Sequence, residues 1–351
     1  MTQNILITGA AGYIGGSVLA DFIARTTGSI KDAKISAAVR SEEQAQALTK
    51  LGVNVILVNL ESKEEVANSI VRNDIDVVVH TASSVVTDLA TNLIRGLGHR
   101  RKIAGKETYF IHSSVAQAYT KEGNWPYGEI RDTDAVYERE KEINDSHHVR
   151  VTNIAVIEES KAQGVSSFIV PIPYVYGRGT GQWRRLSVNL PLYIQASIAS
   201  RSVHKFEDNA NPAAAHISDV TAYYSLLVEK ILSNDPIPSG EEGYYFIAAH
   251  KLNWWEAMHQ LAQHLHKRGL IEDPEVHIWP SYDVAADTLG LPRLYVRAMC
   301  AAGGDVIPVK ANLLGWKPEW NEKRFMESLD DEIQAVLDLN TTKNTLFETL
   351  L

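Results

Sequence analysis

The chain has 351 residues, 45% of them hydrophobic and 22% charged. That is the composition of a globular protein whose core is large enough to fold without staples. With 34 basic against 43 acidic residues the net charge is −9, the opposite of a nucleic-acid binder's basic balance, so no nucleic-acid partner is expected. A single cysteine, Cys300, excludes a disulfide framework and a cysteine-rich zinc site, and no metal is expected. No uncharged apolar run reaches a membrane span, and the first strand pattern starts at Asn4 with no basic leader before it. The expectation is a cytoplasmic protein without a membrane partner.

Ile5–Thr8 is a short apolar run ending in glycines, and 17–25 has helical spacing at Val18, Leu19, Phe22 and Ile23. Strand and helix patterns then alternate: 35–39 and 42–50, 53–58 and 63–72, 75–80 and 91–103, 108–112 and 151–163, with 167–172 as the last strand. The run 75–80 holds Val77, Val78 and Val79, as expected of a strand covered on both faces. This alternation predicts an α/β fold, a Rossmann-type doubly wound parallel sheet. After Gly177 the rhythm breaks and helical segments dominate, at 192–200, 221–232, 254–267 and 325–337. The expected division is a dinucleotide-binding domain over 1–176 and a smaller, mostly helical substrate lobe with C-terminal helices over 177–351. The run 244–249 is expected to return to the first sheet.

The first chemical signal is Thr8-Gly9-Ala10-Ala11-Gly12-Tyr13-Ile14-Gly15, between the first strand and the first helix. Gly9 permits the turn out of the strand, Gly12 lets a pyrophosphate approach the backbone, and Gly15 lets the helix pack close to the sheet. The helix N-terminus offers free N–H groups and a partial positive charge to phosphates.

Further motifs follow in order: Asp76-Val-Val-Val-His80-Thr81-Ala82-Ser83, Ile172-Pro173-Tyr174-Val175-Tyr176-Gly177, His216-Ile-Ser-Asp219-Val220 and Leu314-Gly315-Trp316-x-Pro318. With them the chain resembles the extended short-chain dehydrogenase/reductases, within the NAD-dependent epimerase/dehydratase group. The resemblance covers most of the chain and implies a nicotinamide cofactor and a small-molecule substrate. Because members of this group often pair two helices across a dimer, it also points to a homodimer. It is less specific for the reaction, since the fold hosts reductases, epimerases, dehydratases and non-catalytic sensors.

An NAD site commonly places an acid after the second strand, and an NADP site an arginine. Here 35–39 ends at Arg40-Ser41, with Glu42 and Glu43 only later. Arg40 can pair a 2′-phosphate through its planar donors, so NADP(H) is expected over NAD(H). The resemblance puts Asn59 and Leu60 beside the adenine, and Thr81, Ala82 and Ser83 under the ribose and phosphates. It puts the turn through Pro173, Tyr174 and Val175 against the nicotinamide.

The resemblance implies a tyrosine and a lysine four residues apart on a helix, plus a serine after the fifth strand. The ammonium lowers the phenol's pKa, and the hydroxyl holds the substrate oxygen. Tyr137-Glu-Arg-Glu-Lys141 is the available pair and Ser114 the matching serine. Two alternatives stay open. Counting back from Gly177 puts the pair near 145–149 or 150–154, where neither tyrosine nor lysine stands. Anchoring on Tyr119 puts Val115 in the serine's place, leaving His112, Tyr119 and Tyr174 as relay candidates. Asp132, Asp134, Glu138 and Glu140 read as a solvated helix start, and Asp219 as the organiser of a turn. The leading expectation is an NADP(H)-dependent oxidoreductase acting on a small metabolite. The alternatives are an NAD-dependent sugar-nucleotide epimerase or dehydratase and a non-catalytic dinucleotide sensor.

Overall fold

A computed structural model describes residues 3–300 and 302–339. The chain begins β1 (Asn4–Thr8), α1 (Tyr13–Ala24), α2 (Ser29–Asp32), β2 (Lys34–Val39), α3 (Glu42–Thr49), β3 (Asn54–Leu57) and α4 (Lys63–Arg72). It continues β4 (Val77–His80), α5 (Thr87–Ala104), β5 (Tyr109–Val115), β6 (Ile130–Arg131), α6 (Val136–Ile143), α7 (His148–Gln163) and β7 (Ser166–Ile172). Six of these strands form the main sheet in the order β3-β2-β1-β4-β5-β7, every pair parallel. The expected Rossmann sheet is therefore present. Its order reverses direction between β1 and β4, so the crevice at that switch point lies beyond Thr8 and His80.

Both faces of the sheet are covered, which is why its strands read as continuous apolar runs. One face packs Val78 and Phe110 under α4, α5 and α7. The other packs Ile7, Val79 and Ile111 under α1 and a later helix, α9 (Ile217–Leu232). Helix α9 changes the expected division. Its Tyr223, Tyr224, Leu227 and Val228 share a core with Val18, Leu19 and Phe22 of α1. The 244–249 run also returns, as a single parallel bridge between Tyr244 and Ile169 rather than a full strand. The boundary at 176 is a change of sequence rhythm that the chain crosses again.

The second lobe has its own apolar core around Tyr193, Trp254, Leu261, Phe325 and Ile333. It contains β8 (Tyr174–Tyr176), α8 (Asn189–Ser200), β9 (Val203–Lys205), β10 (Ala213–His216), β11 (His250–Lys251), α10 (Trp254–Lys267) and β12 (Val276–Ile278). Then come α11 (Tyr282–Leu289), α12 (Arg293–Cys300), β13 (Val306–Ile307), α13 (Val309–Leu314), α14 (Glu322–Glu327) and α15 (Leu329–Leu339). The helix expected at 325–337 is broken at Ser328, whose hydroxyl donates back to the Phe325 carbonyl at 2.8 Å. Two sequence motifs prove to be one tie. Asp219 accepts the backbone N–H of Glu319 and of Trp320, each at 3.0 Å, and its carbonyl accepts the Trp316 indole N–H. The His216 ring stacks on Trp320 at 3.7 Å.

Candidate functional site

At the phosphate end, Gly12 caps α1 without any side-chain hydrogen bond, and the first turn carries no acid. The N–H groups of Tyr13 to Gly15 have no intrahelical acceptor, so they are donors for an anion. The glycines here are required by contact. Gly9 sits at φ +68°, where a Cβ would lie 2.7 Å from the Thr81 backbone. A Cβ on Gly15 would lie 2.2 Å from Thr81 Oγ1 and 2.4 Å from the Gly9 carbonyl oxygen. Thr81 is itself fixed, because its hydroxyl donates to the Thr8 carbonyl at 2.7 Å. The residues present therefore fit a dinucleotide's pyrophosphate.

The second lobe reaches over this turn. The Tyr13 hydroxyl donates to the Gly177 carbonyl at 2.7 Å, and the Thr180 N–H donates to Ser17 Oγ at 3.3 Å. Glu332 of α15, almost fully buried, accepts the Gly177 N–H at 2.6 Å, and burial raises its carboxyl to about 7.

Towards the adenosine end, exposed Arg40 follows β2, and Ser41 caps α3 through the Gln44 N–H. Asn59 stands exposed past β3 and accepts the Glu61 N–H, while the Leu60 carbonyl is held by Asn92. Ala82 is exposed beside Thr81. Ser83 spends its hydroxyl on the Val85 and Val86 N–H groups, so it shapes the turn into α5. Tyr174 points into the second lobe, its ring 5.3 Å from Trp254, and Val175 packs on the core of the main sheet. Pro173 and Tyr174 line one small cavity together.

Of the three nominated residues, Tyr137 and Lys141 are in contact and neither bonds Ser114. Ser114 is buried near the tip of β5 in register with Pro171, and its Oγ has no partner among the described residues. Tyr137 donates to Glu158 at 3.2 Å and accepts from Lys141 at 3.3 Å, while Lys141 also pairs with Glu158 at 3.1 Å. Glu158 lies late in α7, one turn from Lys161, which pairs with Glu241. The turn after Glu241 reaches the first residues of β7, with the Gly243 carbonyl accepting the Ile169 N–H. The Tyr137 cluster therefore sits by the start of β7, away from the strand ends. Burial, with Glu158 alongside, raises the Tyr137 phenol despite Lys141, the reverse of what an activated phenol needs.

The position reached by counting back from Gly177 is structural. The buried Arg150 guanidinium donates to Asp145 at 3.0 and 2.7 Å, to the Ala118 carbonyl at 2.7 Å and to the Gly123 carbonyl at 2.6 Å. It clamps the loop after β5 onto the first turn of α7, where Val149 is buried. Glu140, read from sequence as solvated, is fully buried on the same helix face as Val136 and Tyr137. It accepts from Tyr119 at 2.9 Å, Asn153 at 2.9 Å and Tyr244 at 2.5 Å, and burial raises it to about 7. Asp132 is buried too, accepting the Phe246 and Lys310 N–H groups. Of the relay candidates, Tyr119 is thus committed to Glu140. His112 stacks on His80 at 5.6 Å inside the core, and burial holds both imidazoles neutral, His80 at about 4.

Sequence reasoning passed over one group here. Beside Pro173 lies a cavity of about 20 Å³, lined by Gln117, Thr120, Ala213, Gly303 and Gly304 among others. Oε1 of Gln117 is buried there and accepts no hydrogen bond from a described residue. The available signal was a lone carboxamide in the small-residue run after β5. Among the described residues no cluster of histidine, cysteine or acids could hold a metal ion, and no helix is long and apolar enough to cross a membrane.

Fold and site together define an α/β protein whose architecture is like that of the extended short-chain dehydrogenase/reductases. Residues 1–134 match the model of the NmrA-like family. No curated protein matches the sequence. Among solved structures, Bordetella bronchiseptica WbmH in complex with NAD+ superposes with a TM-score of 0.65 at 14% identity, over 97% of this chain and 100% of that one. Thermus thermophilus UDP-glucose 4-epimerase in complex with NAD gives 0.62 at 15% identity, over 96% and 100%. The holo L-threonine dehydrogenase of Cupriavidus necator gives 0.61 at 14% identity, over 94% and 99%. At these identities the likeness is one of fold.

Proposed function

We propose that the chain binds NADP(H) across the strand ends and acts as an oxidoreductase on the carbonyl or alcohol of a small metabolite. The observation that carries this reading is the uncapped N-terminus of α1 behind Gly9, Gly12 and Gly15. A bound nicotinamide supplies hydride exchange. The chain's part is to hold the phosphates on the N–H groups of Tyr13 to Gly15 and to wall the ring with the Pro173 turn. Arg40 at the tip of β2 supports the phosphorylated cofactor, because its planar fork matches a 2′-phosphate. Ser114 alone of the nominated catalytic residues stands near the strand ends, which supports it as the hydroxyl facing a substrate oxygen.

Two other readings have support of their own. The epimerases of like fold favour a sugar-nucleotide epimerase with tightly held NAD. The tie of Tyr137 and Lys141 to Glu158 favours a dinucleotide sensor without turnover. A homodimer is the assembly that the resemblance implies.

Titration with NADPH and NADH, followed by nicotinamide fluorescence, is the test. Preference for NADPH, lost about tenfold in Arg40→Ala with NADH unchanged, supports the reading. Equal affinities remove the role given to Arg40. Cofactor consumed with a panel of carbonyl compounds marks the oxidoreductase. Cofactor retained through purification and never consumed marks the epimerase, and reversible binding without turnover the sensor.

A further inference from the structure

A larger cavity lies at the edge of the main sheet opposite Thr8 and His80. It measures about 520 Å³, the size of a small-molecule site. Its lining draws on the residues just before four neighbouring parallel strands: Asp32 before β2, Gln3 before β1, Asp76 before β4 and Lys106 before β5. Asp76 is buried and already occupied, accepting the Asn4 N–H at 3.3 Å and pairing with Arg100 at 3.3 Å. Glu107, on the same wall as Lys106, is paired with Arg101. Lys106 and Asp32 differ from these. Neither has an ion pair or hydrogen bond among the described residues, and Lys106 is half-buried. Oε1 of Gln3 is buried and accepts nothing from a described residue. A buried carbonyl oxygen left in that state costs free energy, and a ligand donor that reaches it recovers the loss.

We propose that this cavity is a second ligand site, which takes a small zwitterion with an ammonium group at one end and a carboxylate at the other. The ligand's ammonium donates to Gln3 Oε1, with the Asp32 carboxylate on the same side, and Lys106 pairs with the ligand's carboxylate. The strand order β2-β1-β4-β5 sets this polarity, with the unused acceptors at one end and the unpaired cation at the other. Gln3 and Lys106 stand two strand spacings apart, about 10 Å between backbones. That span suits charges separated by several carbons better than the adjacent charges of an α-amino acid. A ligand with a single charge leaves either Gln3 or Lys106 unanswered. The length of the sheet separates this site from the glycine turn, so the inference stands apart from the cofactor reading.

The test is calorimetric titration of the full chain with ε-aminocaproate, caproate and n-hexylamine, which share one carbon chain and differ in their charged ends. Wild type is expected to bind ε-aminocaproate about tenfold more tightly than either singly charged analogue, the scale of one hydrogen bond to a charged group. Lys106→Met is expected to weaken ε-aminocaproate about tenfold and to bind hexylamine as wild type does. Gln3→Met is expected to weaken ε-aminocaproate about tenfold and to leave caproate unchanged. Equal wild-type affinity for the three compounds, or no binding of ε-aminocaproate, overturns the proposal without any variant. So does a preference for the zwitterion that survives both substitutions, because the ligand then sits elsewhere. Displacement of ε-aminocaproate by NADPH would put it in the crevice and overturn the proposal as well. If NADPH does not bind at all, the cofactor reading falls and these contrasts remain the measure of this site.

Discussion

The two ends of the crevice are built on different principles. At the phosphate end the donors offered to a ligand are main-chain N–H groups, and the glycines are held by steric contact with Thr81 and Gly9. At the reaction end the work falls to side chains, and those that resemblance nominated are dispersed. Ser114 lies near the β5 tip, Tyr137 and Lys141 lie with Glu158 near the start of β7, and Arg150 is occupied with a loop. A backbone site is fixed by the fold and stays recognisable wherever the fold persists. A side-chain site can be emptied without disturbing the sheet beneath it.

The sharpest way to break this contrast is Gly15→Val. Its Cβ would overlap Thr81 Oγ1 and the Gly9 carbonyl, so we expect a loss of about 3 kcal/mol in chemical unfolding, together with NADPH binding. Retained binding would show that the turn yields and that the glycines are not held by contact. Arg150→Met comes next. It leaves two carbonyls and Asp145 without their buried partner, and we expect about 3 kcal/mol of destabilisation with 2′-phospho-ADP-ribose affinity intact. A melting temperature equal to wild type would mean that the loop does not depend on the clamp.

His112→Phe should act in the opposite direction. Neither ring nitrogen has a partner among the described residues, so an apolar ring is expected to stabilise by about 1 kcal/mol at pH 7. The pH dependence follows from burial, which holds the folded imidazole well below its usual value. The unfolded chain takes up a proton as pH falls through about 6.5 and the folded one does not, so wild type loses stability below that pH. The variant's advantage should therefore widen from pH 7 towards pH 5, and an advantage that narrows in urea titrations would contradict the burial argument. Tyr137→Phe is the smallest effect. Its hydroxyl sits at a rim with Lys141 and Glu158, so we expect less than about 0.5 kcal/mol and unchanged NADPH affinity and turnover. A large drop in turnover would return Tyr137 to the reaction centre.

What was legible in the sequence was local. The strands of the main sheet and the glycine turn each announce themselves within a few residues, through apolar runs and punctuation. What was not legible depended on segments that meet only on folding. Glu140 reads as solvated because its neighbours are charged, yet its partners Tyr119, Asn153 and Tyr244 come from three other places in the chain. The Tyr137–Lys141 spacing is correct for one helix face, but which way α6 turns that face is decided by its packing on the end of α7 and the turn at 240–243. The His216–Asp219 and Leu314–Pro318 motifs were both visible, and their mutual tie was not.

One contact joins the glycine turn to the second lobe. Gly16, in the first turn of α1, and Gly181, in the loop beyond β8, touch backbone to backbone. A Cβ on Gly181 would lie 2.9 Å from the Gly16 carbonyl carbon, and one on Gly16 would lie 3.4 Å from Gly181 Cα. A side chain at Gly181 would therefore overlap Gly16, while one at Gly16 would meet Gly181 only at ordinary contact distance. The glycine turn is thus backed by a second glycine from the opposite lobe, and a side chain at position 181 would press on the first turn of α1.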